Sequence, residues 1–196
     1  MSTQLGLYNR NPRDAMGYFT AGDPADPDTF FRRNLPRVGL VDSAGDSGHV
    51  ALATGVMTSV PIFLPAGDLV TNLSFVSGAT AAGTPTNWWF ALYSMDATPA
   101  LLGQAADQTS TAWAANTVKT LALTTAYRVM KTGFYYAAIN VTATTPPSLM
   151  GTIGVKPVVT GERNLSQSSG SGLTTTAPAT ITTPTVKNFV PYVVVT

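Results

Sequence analysis

The chain of 196 residues contains no cysteine, one histidine (His49), one glutamate (Glu162) and four lysines. Without cysteine there are no disulfides, no thiolate metal sites and no cysteine nucleophile. Charged side chains make up 11% of positions, and 11 basic against 10 acidic groups leave a net charge of +1 at pH 7. So even a balance lacks the basic surface that nucleic acid or anionic lipid requires. No apolar run comes near the ~20 residues of a helical membrane span. The opening, Met1 to Asp14, lacks the basic-then-apolar order of a secretory leader. The expectation is synthesis in the cytoplasm without export.

What the chain does have points to strands. It carries 30 threonines, 17 glycines and 14 prolines against very few strong helix formers. Threonine and valine suit a pleated, half-buried surface, and glycine and proline punctuate turns. With 44% hydrophobic positions and this length, the chain reads as one all-β domain, able to bury roughly 70% of its unfolded surface.

Charge divides the sequence. Residues 1–50 hold 11 of the 21 charges, four prolines and six glycines. They show no sustained period, apart from a short helical turn expected over residues 28–34. Such a segment cannot bury itself, so it reads as an extended N-terminal arm ordered by a partner surface. Arg10, Arg13, Arg32, Arg33 and Arg37 would offer planar donors to carboxylates on that partner.

Residues 51–196 read as strand, turn, strand. Candidate strands cover 55–64, 69–77, 87–94, 101–108, 117–123, 127–131, 134–142, 151–159 and 186–195, each bounded by turn residues. That spacing fits an antiparallel β-sandwich with Leu73, Phe75, Phe90, Leu92, Leu121, Leu123 and Ile139 in its core. Residues 161–185 form a long Gly/Ser/Thr loop that either packs over a surface or a neighbour, or serves as a free linker. Pro191 in the C-terminal run predicts an edge or a bulge, because proline cannot donate to a ladder. An unprotected edge there would invite another chain.

Catalytic chemistry has little to work with. Ser47, His49 and Asp42 could be drawn as a triad, but residues of one loop rarely converge as nucleophile, base and orienter. His49 reads instead as a solvent or interface residue. Asp23, Asp26 and Asp28 match neither the glycine nor the glutamate offset of a calcium loop. The acids of the body are Asp68, Asp96, Asp107 and Glu162, and Asp68 and Asp96 sit in turn contexts. Glycoside hydrolysis would need two of them facing each other across one cleft. No residue is assigned to catalysis, to a cofactor or to a metal, and the chain is not expected to be an enzyme. The glycosylation sequons at Asn72, Asn140 and Asn164 are expected to be silent.

Trp88 and Trp89 are neighbours on one strand, so their side chains point to opposite faces. One joins the core; the other must be covered by a loop, a neighbouring subunit or a ligand. Tyr135 and Tyr136 pose the same question. All four are candidate contacts to a second copy of the chain or to a glycan, since aromatic faces serve both.

The stretch Val60–Ser77, with its Pro-Ile-Phe-Leu-Pro-Ala-Gly-Asp turn, runs into Pro85-Thr-Asn-Trp-Trp-Phe-Ala-Leu-Tyr93. It continues through Leu101–Gln108 and Gly133–Asn140. This pattern resembles the jelly-roll β-sandwich of small virion proteins in tailed bacteriophages, particularly those of actinobacterial hosts. The resemblance covers about residues 55–160, a span of strands and turns with no catalytic signature. It implies a structural protein on the exterior of the head or tail, either a capsid decoration protein or a minor tail protein. Its partners would be major capsid or tail proteins and further copies of itself, most simply as a trimer. A virion released whole from the cell also reconciles an extracellular-looking β composition with the absence of leader and disulfides. The alternative is a tail-borne module that binds a host glycan.

Overall fold

In the computed structural model, which describes residues 32–44 and 51–196, every regular element is a strand. In chain order they are β1 (Arg32–Arg33), β2 (Val41–Asp42), β3 (Met57–Leu64), β4 (Leu69–Val76), β5 (Gly83–Tyr93), β6 (Leu101–Gln104) and β7 (Val118–Arg128). Then come β8 (Gly133–Thr145), β9 (Met150–Ile153), β10 (Gln167–Ser169), β11 (Thr185–Val186), β12 (Phe189–Pro191) and β13 (Val193–Val195).

The pairing explains the architecture. β1 pairs with β13, β3 with β8, β4 with β7 and β5 with β6, all antiparallel. These are the four pairs of one long antiparallel ribbon doubled back on itself. Rolling the ribbon brings β13 beside β4 and β8 beside β5. The result is two facing sheets, β1-β13-β4-β7 and β3-β8-β5-β6, the latter extended at the β3 edge by β10 and β11. That is the strand order of a jelly roll. A small third sheet, β12-β9-β2, closes one side.

The inner faces follow period two. Val60, Ile62 and Leu64 of β3, Trp88, Phe90 and Leu92 of β5, and Tyr135, Ala137, Ile139 and Val141 of β8 all point between the sheets. On β4, Val70 and Leu73 both face inward because a bulge between Val70 and Asn72 resets the alternation. Six of the seven expected core residues are buried there; Leu121 is only half-buried at its margin.

The outer face of the larger sheet is buried too. Trp89, Ala91 and Tyr93, with Met57, Tyr136 and Ala138, form a second apolar layer under Ala177 and Ile181. The Gly/Ser/Thr segment is therefore a lid on this face, not a free linker. Its first part contains β10, which pairs with β3, so a strand lies where only loop was expected. Further along, Trp89 Nε1 donates to Thr174 O at 2.7 Å and Tyr93 Oη to Pro178 O at 2.7 Å. Gln104 donates to Thr175 O and accepts from the amide of Ala177, each at 2.7 Å.

Other expectations need correction. The two strands expected over 117–131 are one, β7, whose residues 123–126 fall in the register shift against β4 while Leu123 bridges to Ala105 instead. The strand expected over 151–159 stops at Ile153, before Pro157. The C-terminal run is not an open edge: β13 lies between β1 and β4, while Pro191 does sit in an edge strand, β12. Arg32 and Arg33 are strand, not helix.

The boundary drawn at residue 50 also shifts. Residues 32–44 supply β1 and β2 and so belong to the sandwich, and Leu35 packs against the core. Asp42 anchors this segment: its carboxylate accepts the backbone N–H groups of Ala79 and Ala44. It lies against Gly78, where a Cβ would stand 2.0 Å from Asp42 Oδ1. Partial burial pushes the Asp42 pKa up, but the Ala79 and Ala44 N–H groups and the Ser148 hydroxyl outweigh it, leaving a net lowering. A carboxylate with a lowered folded-state pKa contributes stability at neutral pH that is lost as pH falls through that value. Acid unfolding of Asp42→Asn should therefore start from a lower stability at pH 7 and decline less steeply below pH ~4 than wild type. Equal slopes for the two proteins would remove Asp42 from the acid response.

Candidate functional site

The sandwich accounts for all four candidate aromatics internally. Trp88 and Trp89 are 1% and 0% exposed, and Tyr135 and Tyr136 are 3% and 6%. Trp88 sits between the sheets against Phe90 and Trp113, its indole N–H donating to Thr111 O. Trp89 is covered by the lid. Tyr135 faces the inner core and donates to Lys131 O at 2.8 Å. None presents a ring face to solvent, which corrects the assignment of Trp88, Trp89 and Tyr135 as contacts for a glycan or a second copy; Tyr136 keeps only its edge, at a polar cleft on the outer face. The cover that Trp89 requires is the chain's own loop.

The arginines divide. Arg10 and Arg13 lie outside the described residues. Arg32 is in β1 and is already paired with Asp68 in the β3–β4 turn, so the turn aspartate holds an arginine. Arg33 is half-buried beside it. Arg37 is exposed in the turn between β1 and β2. Ser47, His49 and the acidic Asp23, Asp26 and Asp28 also lie outside the described residues. Of the sequons, Asn140 is fully buried, and Asn164 is half-buried with its amide on Gln167 Oε1.

Two concave regions lie side by side on the outer face, both shaped by residues 155–167. The first is a polar cleft of about 300 Å³ bordered by Asp96, Tyr136, Glu162, Arg163, Asn164 and Gln167. Arg163 lies over the Tyr136 ring at 5.8 Å and donates to Tyr136 Oη at 3.1 Å and to Met95 O at 3.2 Å. Asp96 accepts from the Ser94 hydroxyl at 2.6 Å. Glu162 accepts the backbone N–H groups of Val159 and Val158, which lower its pKa. The two carboxylates that border one cleft are thus both engaged locally. A glycosidase acid needs its pKa raised by burial or by a like charge; Glu162 is shifted the other way.

The second is an apolar groove of about 490 Å³ walled by Pro61, Phe134, Val155, Val158 and Leu165, with Lys156, Glu162 and Arg163 at its rim. Neither region was foreseen. The signal for the groove was the run Val155–Val159, whose apolar residues flank a proline and so cannot continue a ladder inward.

No family model and no curated protein matches this chain.

Proposed function

We propose that the protein is a non-enzymatic structural protein of a bacteriophage virion, held on the outside of the head or tail and attached through residues N-terminal to Arg32. The observation that carries this reading is how the sandwich spends its side chains. Its aromatics fill two internal layers, and its own lid closes the face where a ligand-binding sheet would be open. The acids that border a cleft are tied to local donors. What remains is a jelly-roll block with a charged leading segment, Arg10 and Arg13 included, suited to a neighbouring capsid or tail protein. Copies of the chain associate with one another in this reading.

The test uses particles depleted of the protein. Purified full-length chain should co-sediment with them, and a chain starting at Arg32 should fold with unchanged thermal stability but fail to add. A chain starting at Ala51 should lose stability outright, since it lacks β1, β2, the Arg32–Asp68 pair and Asp42. Wild-type addition by the Arg32 chain would end the attachment claim.

A tail-borne glycan-binding module is the second reading, and the polar cleft is what favours it. Amide, carboxylate and guanidinium groups beside the Tyr136 edge are the donors and acceptors that sugar hydroxyls use. A glycan array decides: binding lost in Arg163→Ala supports this reading, and silence across the array removes it.

A further inference from the structure

The face beneath the lid carries polar groups that the protein does not satisfy. Partners across a ladder share a face, so the register lays out what the lid covers. One row holds Ser169 beside Met57 and Asn140 beside Trp89. The next holds Gln167, Ser59, Ala138 and Ala91, and the one after it Pro61, Tyr136 and Tyr93. Ser59, Ala138 and Ala91 are small side chains between two rows of large ones, which makes a trough across the sheet. The lid residues buried over this layer are Ala177 and Ile181, neither of which offers a polar side-chain group.

Ser59, Asn140 and Ser169 are 1%, 0% and 7% exposed. Ser59 Oγ, Ser169 Oγ and both Oδ1 and Nδ2 of Asn140 have no hydrogen-bond partner among the described residues. Exchanging the amide oxygen and nitrogen does not rescue Asn140, because neither position has a partner. The lid bonds the neighbours of Asn140 instead. Leu173 O accepts from Thr142 Oγ1 at 2.6 Å, two residues along β8, and Thr174 O from Trp89 Nε1, directly opposite on β5. Buried amides and hydroxyls in folded proteins are paired with protein or with ordered water.

We infer that the sandwich binds water beneath its lid, held by Asn140 and Ser59, with Ser169 extending the site toward β10. Ser59 is the diagonal cross-strand neighbour of Asn140 on one side and of Ser169 on the other, a spacing that a bridging molecule spans. The chemistry selects the occupant. Asn140 offers N–H donors and a carbonyl acceptor and each serine a hydroxyl, so the occupant must both donate and accept. A cation accepts nothing from Nδ2, and the surrounding layer of Met57, Trp89, Tyr93, Tyr136 and Ala138 holds no charge to balance an ion. An apolar occupant would leave all of these atoms unpaired. Water is small enough for a covered trough and makes about three hydrogen bonds in such sites. The inference does not depend on the protein's place on a particle.

The test is a high-resolution crystal structure of the full chain, with oxygen-17 water relaxation dispersion as the measurement in solution. An ordered water should lie within about 2.7–3.2 Å of an Asn140 amide atom and of Ser59 Oγ. Asn140→Leu, similar in size but without a polar atom, should lose that water, lower the count of long-lived internal waters and keep the wild-type circular dichroism. If that variant does not fold, the wild-type crystal structure decides. Asn140 bonded directly to protein groups, or a trough without ordered water, would overturn the inference. So would a folded Asn140→Leu whose count of long-lived waters equals that of wild type.

Discussion

Phe90→Ala is expected to cost about 3–5 kcal/mol of folding free energy, the lost transfer energy of the ring plus the cavity that it leaves. The side chain has no exposed surface. Its ring packs on Phe75 of the opposite sheet at 4.8 Å, on Trp88 at 5.8 Å and on Trp113 at 5.8 Å. The residue therefore joins β5 to β4 and to the loop before β7. Relaxation to fill the cavity would have to move three large rings held by their own contacts, so little of the cost is recovered. Urea unfolding should show a lower midpoint with an unchanged slope. A loss below about 1 kcal/mol would place Phe90 outside the core, and with it the register of β5, since a one-residue slip exchanges the faces.

Trp89→Ala should cost a similar amount, again about 3–5 kcal/mol, but with a different signature. Here the removed ring lies under the lid, and its N–H is one of several bonds that hold residues 173–181 to the sheet. Backbone bonds from Leu173 N to Gly55 O and from Ile181 N to Pro99 O mark the two ends of the held segment. Hydrogen exchange at these two amides should accelerate more than exchange at Ile139, in the middle of the sandwich. Trp89→Phe should keep most of the apolar burial while leaving Thr174 O without its donor, at about 1–3 kcal/mol. A stable Trp89→Ala protein with unchanged exchange at Leu173 and Ile181 would show that the lid holds without the indole.

The sandwich was legible wherever period two ran unbroken. Trp88, Phe90 and Leu92, and Leu73 and Phe75, alternate plainly, and their strands stand within a few residues of expectation. Turns marked by glycine or proline, such as Pro65–Asp68, were equally plain. The misses share a cause: short-range pattern does not reveal what covers a surface. The adjacency of Trp88 and Trp89 required two buried faces, but the lid is built of Thr174–Ile181, whose residues are too small and polar to announce packing. They hold the sheet through backbone carbonyls that accept from Trp89, Tyr93 and Gln104, and every sequence has carbonyls. β1 and β2 were hidden for a similar reason. Two-residue strands have no period; Arg32 and Arg33 read as donors to a partner's carboxylates and Asp42 as one corner of a triad that a single loop does not build, whereas Arg32 pairs with Asp68 and Asp42 accepts from the Ala79 N–H. The groove around Phe134 depends on where the lid stops, which is a tertiary fact.

The structural role makes its most direct contact with experiment in an electron cryo-microscopy map of the particles. The account predicts density for two packed four- to six-stranded sheets on the exterior of the head or tail. From the start of β1, density should lead into a neighbouring capsid or tail protein. Complete particles that hold no copy of the chain, or a copy whose N-terminal residues touch no other virion protein, would contradict it.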